Sequence, residues 1–545
     1  MTADTIIQRN EALKSARQNF AVLWDDAARW ILPRKGNIIT KTSPGSDQAS
    51  ELFDSTAEEA ALIYAAGLLS SLTPAGEQWM RLEPSDPDAP ETVKAFLARA
   101  SERVQETLLA SNFYLTAHEA FIDSGVFCTV CMFTGESNRT GVSFTNIPVG
   151  TFCVAENNEG FVDTVYREWS WTARQALQEW GREKLGEKVQ KALDDAKWDQ
   201  EFTFIHAVEP RLEFEEGVQL DPKKRRFASL YVCKEDKHLI DEGGYYEFPY
   251  AVLRTLRSNN ELYGRGPGLQ ILPEAKLVNR IEKDLLVAVE KMVDPPWLMP
   301  DDAGSRPDNR PNGVTYWDTS NPNNKPEQLQ LTNRVDLGES KSDQKRARIR
   351  QAFFVDMFQM LTNLQEQRRE KTAFEVAEML QEKLVLFTPI FARTVQEFLN
   401  PTLERVFAIL LRAGKLGDVP PELQGLDYRI SYVSKIALAL KTARTSSLAQ
   451  VMNMLGSMVV FDPSVKHIVD WRKAARDVAN NYALPTDWQR SELEVEEIVA
   501  GETEAAMQMQ QAALAKDITQ SARNLGPEAQ KAATQTIVNA GAGQN

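Results

Sequence analysis

Apolar residues recur at helical spacing from the start of the chain. Ile6, Leu13, Phe20, Leu23, Trp24 and Ala27 share one side of a helix predicted over 5–32, and Pro33 ends it. A polar loop (KGNIITKTSPGSDQAS) follows, and Asp54, Ser55 or Thr56 can cap a second helix with Glu58 and Glu59 in its first turn, ending near Leu72. A third helical stretch covers about 90–110. Between Val126 and Arg167 the period shortens to β-rich runs, GVSFTNIP and GFVDTVYREW, broken by Gly- and Asn-rich turns. Thr172 opens a further helix (TARQALQEWG), and residues 200–257 return to strand-like runs: FTFIHAVEP, ASLYVCKE and YAVLRTL.

The centre of the chain carries the strongest pattern. After YGRGPG, the residues Val278, Ile281, Leu285, Ala288 and Met292 alternate spacings of three and four, a short coiled-coil-like seam on one long helix. Pro295–Pro296 stops it. A Pro-, Asn-, Asp- and Gly-rich segment follows, with strand candidates at Val314–Trp317 and Gln328–Leu331; a loop this long inside a regular chain is usually functional or disordered, and Trp297, Tyr316 and Trp317 favour order. A second helix is predicted from about Ser342 to Asn363. Its apolar residues, including Phe353, Phe354, Val355 and Phe358, cover more than one face, so the hairpin is expected to pack against copies of itself. The charged run QEQRREK (365–371) leads into a helical pattern over 372–412 that Pro389 and Pro401 should kink or divide, then a strand candidate, YRISYVS, and a helical region from about Ala437. The last 55 residues turn to Ala, Gln and Glu, with six glutamates between Glu492 and Glu504, and the final 20 are expected to be mobile.

Composition narrows the class. The 545 residues have globular proportions, 43% hydrophobic and 26% charged, with length for about three or four substructures. Net charge is −15, which disfavours a clamp that binds duplex DNA by wholesale phosphate neutralisation, although local charge can oppose the average. Four cysteines cannot form a disulfide framework and point to a reducing compartment. No apolar signal-peptide stretch follows the first charges, and runs such as Ala60–Leu69 are too short to span a bilayer, so a soluble protein, cytoplasmic at synthesis, is expected.

Catalytic constellations are scarce. None of His118, His206, His238 and His467 sits in a metal spacing, and Cys128-x-x-Cys131 has no second close pair, so buried structural thiols are favoured over zinc. GRGPG (264–268) lacks the GKS/GKT ending of a P-loop and the GxGxxG spacing, and Pro267 removes an N–H; a tight turn launching a helix is the simpler reading. No enzyme, cofactor or metal is therefore expected. Basic clusters are local. Lys223–Arg226 reads as a solvated turn; Lys345, Arg346, Arg348 and Arg350 could make inter-subunit salt bridges or contact a nucleic-acid backbone; Arg368, Arg369 and Lys371 form either a charged loop or a DNA contact.

Two long segments, GRGPGLQILPEAKLVNRIEKDLLVAVEKMVDPPWLMPDD and TAFEVAEMLQEKLVLFTPIFARTVQEFLNPTLERVFAIL, together with FDSTAEEAALIYAAGLLSSLTPAGEQWMRLEP, GFVDTVYREWSWTARQ and EFPYAVLRTLRSNNELYGRGPG, resemble the portal, or head-to-tail connector, family of short-tailed (T7-like) bacteriophages over about residues 5–415. The resemblance implies an α+β, mainly helical fold assembled as a ring, usually a dodecamer, at one capsid vertex, through which a separate terminase motor pumps DNA. It implies a wing over 1–267 and 372–436, stem helices at 268–293 and 342–364, a clip at 294–341, a tunnel loop at 365–371, and a crown with a flexible tail at 437–545. Arg368, Arg369 and Lys371 would touch DNA, and Trp297, Tyr316 and Trp317 would contact partners at the clip. Those partners would be the large terminase and then the tail adaptor; major capsid and scaffold proteins would surround the ring, with no membrane. A virion scaffold protein, or a packaging enzyme with a nucleotide or metal site, are the rival readings.

Overall fold

The computed structural model describes residues 2–362 and 385–433, apart from breaks at 37, 40–42, 44, 47–48, 87–88, 216, 218–219, 300–306, 309–312, 317–326, 330–334 and 424–426; beyond 433 it describes scattered positions between 454 and 513. The chain divides into a unit Met1–Ala443 and a unit Arg444–Asn545. The described residues of the second unit are helical at 494–496, 498–503 and 505–510, with Glu494, Glu496 and Glu502 exposed.

The first unit opens with α1 (Ala3–Ile31), and the chain beyond it turns through a short 3-10 helix beginning at Pro33. Its buried stripe carries the expected Ile6, Trp24 and Ala27, but also two polar residues, Asn10 and Arg17. Asn10 donates to Glu168 at 2.6 Å and Arg17 donates to the Phe152 carbonyl, so each of these buried side chains keeps one strong partner, while Asn10 Oδ1 and Arg17 Nε have none among the described residues. Helix α2 (Thr56–Leu72) begins where Asp54 accepts from the Thr56 N–H at 3.0 Å. Strand β1 (Met80–Pro84) precedes α3 (Glu91–Ala110) and α4 (Phe113–Val126).

Two antiparallel sheets follow. The strands β2 (Thr129–Ser137), β3 (Gly141–Ile147) and β9 (Tyr250–Arg254) form one in the order β3-β2-β9. The other has five strands in sequence order: β4 (Phe152–Glu156), β5 (Val162–Thr172), β6 (Glu201–Pro210), β7 (Phe227–Cys233) and β8 (His238–Tyr245). Strand β6 is buried along nearly its whole length because alternate residues meet different cores. Ile205 and Ala207 face the start of α1; Phe202 and Phe204 face α5 (Ala173–Trp180) and α6 (Glu187–Asp194). Helix α5 starts with a capping box in which Thr172 and Gln175 satisfy each other's backbone N–H groups.

Two long helices follow: α7 (Pro267–Val293) and α8 (Val335–Ala352), which is followed by α9 (Val355–Thr362). The second of the two predicted helices thus starts earlier than Ser342 and breaks at Phe353–Phe354, where Phe354 has φ 56°, a left-handed backbone that an α-helix cannot continue through. Residues 385–393 are helical despite Pro389, a π-helical turn spans Thr394–Leu399, and α10 (Asn400–Arg412) has Pro401 in its first turn. Proline in the first turn needs no N–H, so Pro401 is accommodated by the widened turn before it rather than by a sharp break. The YRISY segment is β12 (Tyr428–Tyr432), paired antiparallel with β1 across more than 340 positions, Met80 facing Tyr432.

Candidate functional site

The turn that launches α7 is built on backbone contact. A side-chain carbon on Gly268 would lie 2.7 Å from the Gly125 carbonyl oxygen, and one on Gly264 would lie 3.0 Å from the Arg254 Cα and collide with the Cys128 carbonyl. The glycines let the start of α7 press onto the α4–β2 corner, while Pro267 sits in the first turn. Thr129 accepts from the Gly264 N–H at 2.9 Å, and Thr255 donates to the Ser124 carbonyl at 2.8 Å. This supports the turn reading of GRGPG.

From that base α7 and α8 run as an antiparallel pair. The predicted seam is buried at Val278, half-buried at Ile281, Leu285 and Ala288, and exposed at Met292. A strap, residues 51–54, crosses the pair near its base. The Asn279 side-chain oxygen accepts from the N–H groups of Phe53 (2.8 Å) and Asp54 (3.1 Å), and the Asp54 carboxylate holds Arg346 of α8 at 2.8 Å. Arg346 also pairs with Glu282 (2.8 Å) and Asp343 (3.1 Å); Lys345 reaches Glu274 at 3.8 Å, and Ser342 donates to Glu282. The alternatives left open for these cations are therefore narrowed: Arg346 and Lys345 make ion pairs within the chain. Arg348, two-thirds exposed, only grazes Glu274 at 4.0 Å, and Arg350 is exposed.

An aromatic cluster locks the base of this pair, at the C-terminal end of α8, to α2 and the helical stretch from 385. Tyr64 of α2 meets Phe353 and Phe358 edge-on, each at 6.0 Å, and Phe387 meets Phe354 (5.4 Å) and Phe358 (5.7 Å) edge-on. Phe358 fits because α2 has Gly67 there: a side-chain carbon would lie 2.8 Å from the Phe358 Cβ. Thus α9, which ends at Thr362, and the helical stretch that resumes at 385 are anchored to each other by ring contacts. Arg368, Arg369 and Lys371 fall between them and lie outside the described residues.

Past these anchors, a buried ion network fixes the π-helical turn. Arg254, with 1% of its side chain exposed, pairs with Glu397 and with Glu156, both at 2.8 Å, and donates to the Gly160 carbonyl at 2.8 Å. Arg393 reaches Glu397 at 2.7 Å and Arg257 reaches Glu156 at 2.6 Å. The sequence gives no sign of this network because its members come from three segments far apart in the chain, 156–160, 254–257 and 393–397.

Between α7 and α8, Trp297–Leu298 (β10) pairs antiparallel with Glu327–Gln328 (β11), and the Leu329 N–H donates to the Pro296 carbonyl at 2.8 Å. Trp297 is half-buried in this pairing. Residues 313–316 are irregular, so the strand expected at Val314–Trp317 is absent there; Tyr316 is 88% exposed, and Trp317 lies outside the described residues. A strand needs a partner across it, and the Trp297 segment takes up Gln328 instead.

The remaining chemistry is structural. All four cysteines are buried and unbridged, and burial pushes the Cys128 thiol up to about 12 and Cys131 well above its usual range. Among the described residues no group of His, Cys, Asp and Glu is placed to hold a metal ion, and no helix is long and apolar enough to cross a membrane. Of the KKRR cluster, Arg225 lies over the Tyr246 ring at 4.4 Å and Lys224 pairs with Glu215, as in an ordinary surface turn.

The sequence profile of the bacteriophage head to tail connecting protein family matches residues 3–488. The chain belongs to that family. Relatives include the portal protein of Salmonella phage epsilon15, 28% identical over 476 residues (86% of this chain, 85% of the relative), and the probable portal protein of Bordetella phage BPP-1, 28% identical over 468 residues (84% of each). The match runs through α7, α8 and α10 and past β12, so the hairpin and its anchors lie inside the family's own region. The function is that of a phage portal, the connector between head and tail, and the mixed helix-and-sheet fold agrees with it.

Proposed function

We propose that this portal protein assembles as a closed dodecameric ring at one capsid vertex and conducts double-stranded DNA along its axis during packaging and ejection. The family match across almost the whole chain carries this reading. In this assignment the stem is the α7/α8 pair with α9 (268–293 and 342–364), and the clip is 294–341. The tunnel loop is 365–371, the wing comprises 1–267 and 372–436, and the crown and tail are 437–545. The clip docks the large terminase and later the tail adaptor, with Trp297, Tyr316 and Trp317 as contacts; major capsid and scaffold proteins hold the rim. Host cytoplasm is the site of assembly and the virion the final location.

The physics of the role is restraint. Each retained phosphate contact adds affinity through counterion release, so a thoroughly basic lining would stall the duplex. A chain of net charge −15 with a few cations, Arg368, Arg369 and Lys371, on the loop at the axis suits sliding. End-on negative-stain images of the purified protein are expected to show a toothed ring with a central hole; a lone compact monomer at assembly concentrations refutes the reading. Reversing the charge of all three loop residues is expected to impair packaging or DNA retention with ring assembly intact, and unchanged packaging removes them from the site.

A further inference from the structure

The α7/α8 pair has two flanks, and their exposed side chains differ in charge. At ~100° per residue, the strap side of the pair presents Leu286, Glu290 and Val293 from α7, with Glu339 and Asp343 from α8. The opposite flank presents Leu277, Lys291 and Met292 from α7, with Leu337, Lys341 and Arg348 from α8. The apolar members are exposed: Leu286 51%, Val293 82%, Leu277 41%, Met292 53% and Leu337 47%. The charged members are exposed as well. One flank is thus apolar with an excess of carboxylates, against the cations Lys283 and Arg350. The other is apolar with an excess of cations, against the single anion Asp284.

We infer that each stem packs its Lys341/Lys291 flank against the Glu339/Glu290 flank of the next copy. The inference rests on the ring reading above and specifies its stem contact. Two identical flanks brought together would set like charge against like, which disfavours a two-fold pair of stems. A head-to-tail contact sets opposite charges together and repeats around an axis, which is the geometry a ring needs. The heights agree: Ser342 lies beside Glu282, and Gly338 lies beside Leu285, so Glu339, Asp343 and Lys341 stand at one level of the pair, with Glu290 and Lys291 together nearer its tip; Arg348, beside Glu274, lies at the base and outside the contact. The exposed apolar residues flank these charges and would lose water on contact. The strap occupies the base of the acidic flank, which confines the contact to the part of the stem away from the wing.

The test uses full-length protein. One variant reverses the basic flank (Lys341→Glu, Lys291→Glu), a second the acidic flank (Glu339→Lys, Glu290→Lys), and a third carries all four changes. All sites are exposed, so circular dichroism should match wild type. Each single-flank variant is expected to need about tenfold more protein or higher for half-assembly in sedimentation velocity, and the fourfold variant to recover most of the loss. Single-flank variants that form rings as readily as wild type, or a fourfold variant that stays as impaired as the singles, would overturn the flank assignment. Wild-type protein that forms no ring would instead overturn the ring reading itself.

Discussion

Replacing Arg254 by Met tests how far the buried ion network holds the π-helical turn to the sheets. Arg254 is almost fully enclosed and has two carboxylates at 2.8 Å. At that distance and an effective dielectric of about 20, each contact is worth about 6 kcal/mol before desolvation. Most of this offsets the cost of taking the ions out of water, so the net worth of the pair is small while the cost of removing one partner is not: about 3–5 kcal/mol. Here the lower end applies. Glu397 keeps Arg393 at 2.7 Å and Glu156 keeps Arg257 at 2.6 Å, so neither carboxylate is left alone. The expected loss is about 3 kcal/mol, which at an m-value of about 3 kcal/mol/M moves the urea midpoint of the Met1–Ala443 unit down by roughly 1 M, read by tryptophan fluorescence. Adding Glu397→Gln should cost less in the Arg254→Met background than in wild type, because the two share one interaction. As a contrast, Arg103→Met breaks an exposed pair with Glu106 and should change stability by no more than about 0.5 kcal/mol. A shift for Arg254→Met below about 0.3 M would show that the buried network behaves like a surface pair, and the reasoning would fail.

Two further outcomes follow from the packing. His206 is buried, stacked on Tyr231 at 4.1 Å and bonded to Tyr250 (2.9 Å) and Ser229 (3.0 Å), and burial lowers its pKa to about 3. The unfolded chain, at an ordinary value of about 6.5, then binds the proton first, so stability present above pH 6.5 falls on acidification. The loss is about 2 kcal/mol between pH 6.5 and 5, and in denaturant melts His206→Gln should flatten that part of the profile. Gly268→Ala or Gly264→Ala should cost at least about 1–3 kcal/mol or prevent soluble expression, because the added carbon meets backbone, whereas Gly76→Ala, with open space around it, should be close to neutral in thermal melting.

The order of local elements was legible from residue spacing, because periodicity and turn chemistry act over a few residues. Helix α1 with its stop at Pro33, the capped α5, the α7 launch at GRGPG and the YRISY strand all appear where short-range pattern places them. The connector family was legible too, from the order and number of the segments that resemble it, and the family profile matches residues 3–488. Pattern failed wherever the deciding partner was distant. The break at Phe353–Phe354 looks like continuous helix in one dimension; Phe353 packs on Tyr64 while the next residue, Phe354, packs on Phe387, and the backbone turns between them. Val314–Trp317 has strand-like composition, yet the Trp297 segment pairs with Gln328. Asn10, Arg17 and Arg254 look like solvent-facing residues until Glu168, the Phe152 carbonyl and Glu397 arrive from elsewhere in the chain. The same holds for the two flanks of the α7/α8 pair, whose charges alternate along the sequence and separate only when the two helices are set side by side. Spacing determined which residues are helical or extended; long-range contacts decided which polar groups could be buried and which faces were left for another molecule, because desolvation is settled only by what packs on top.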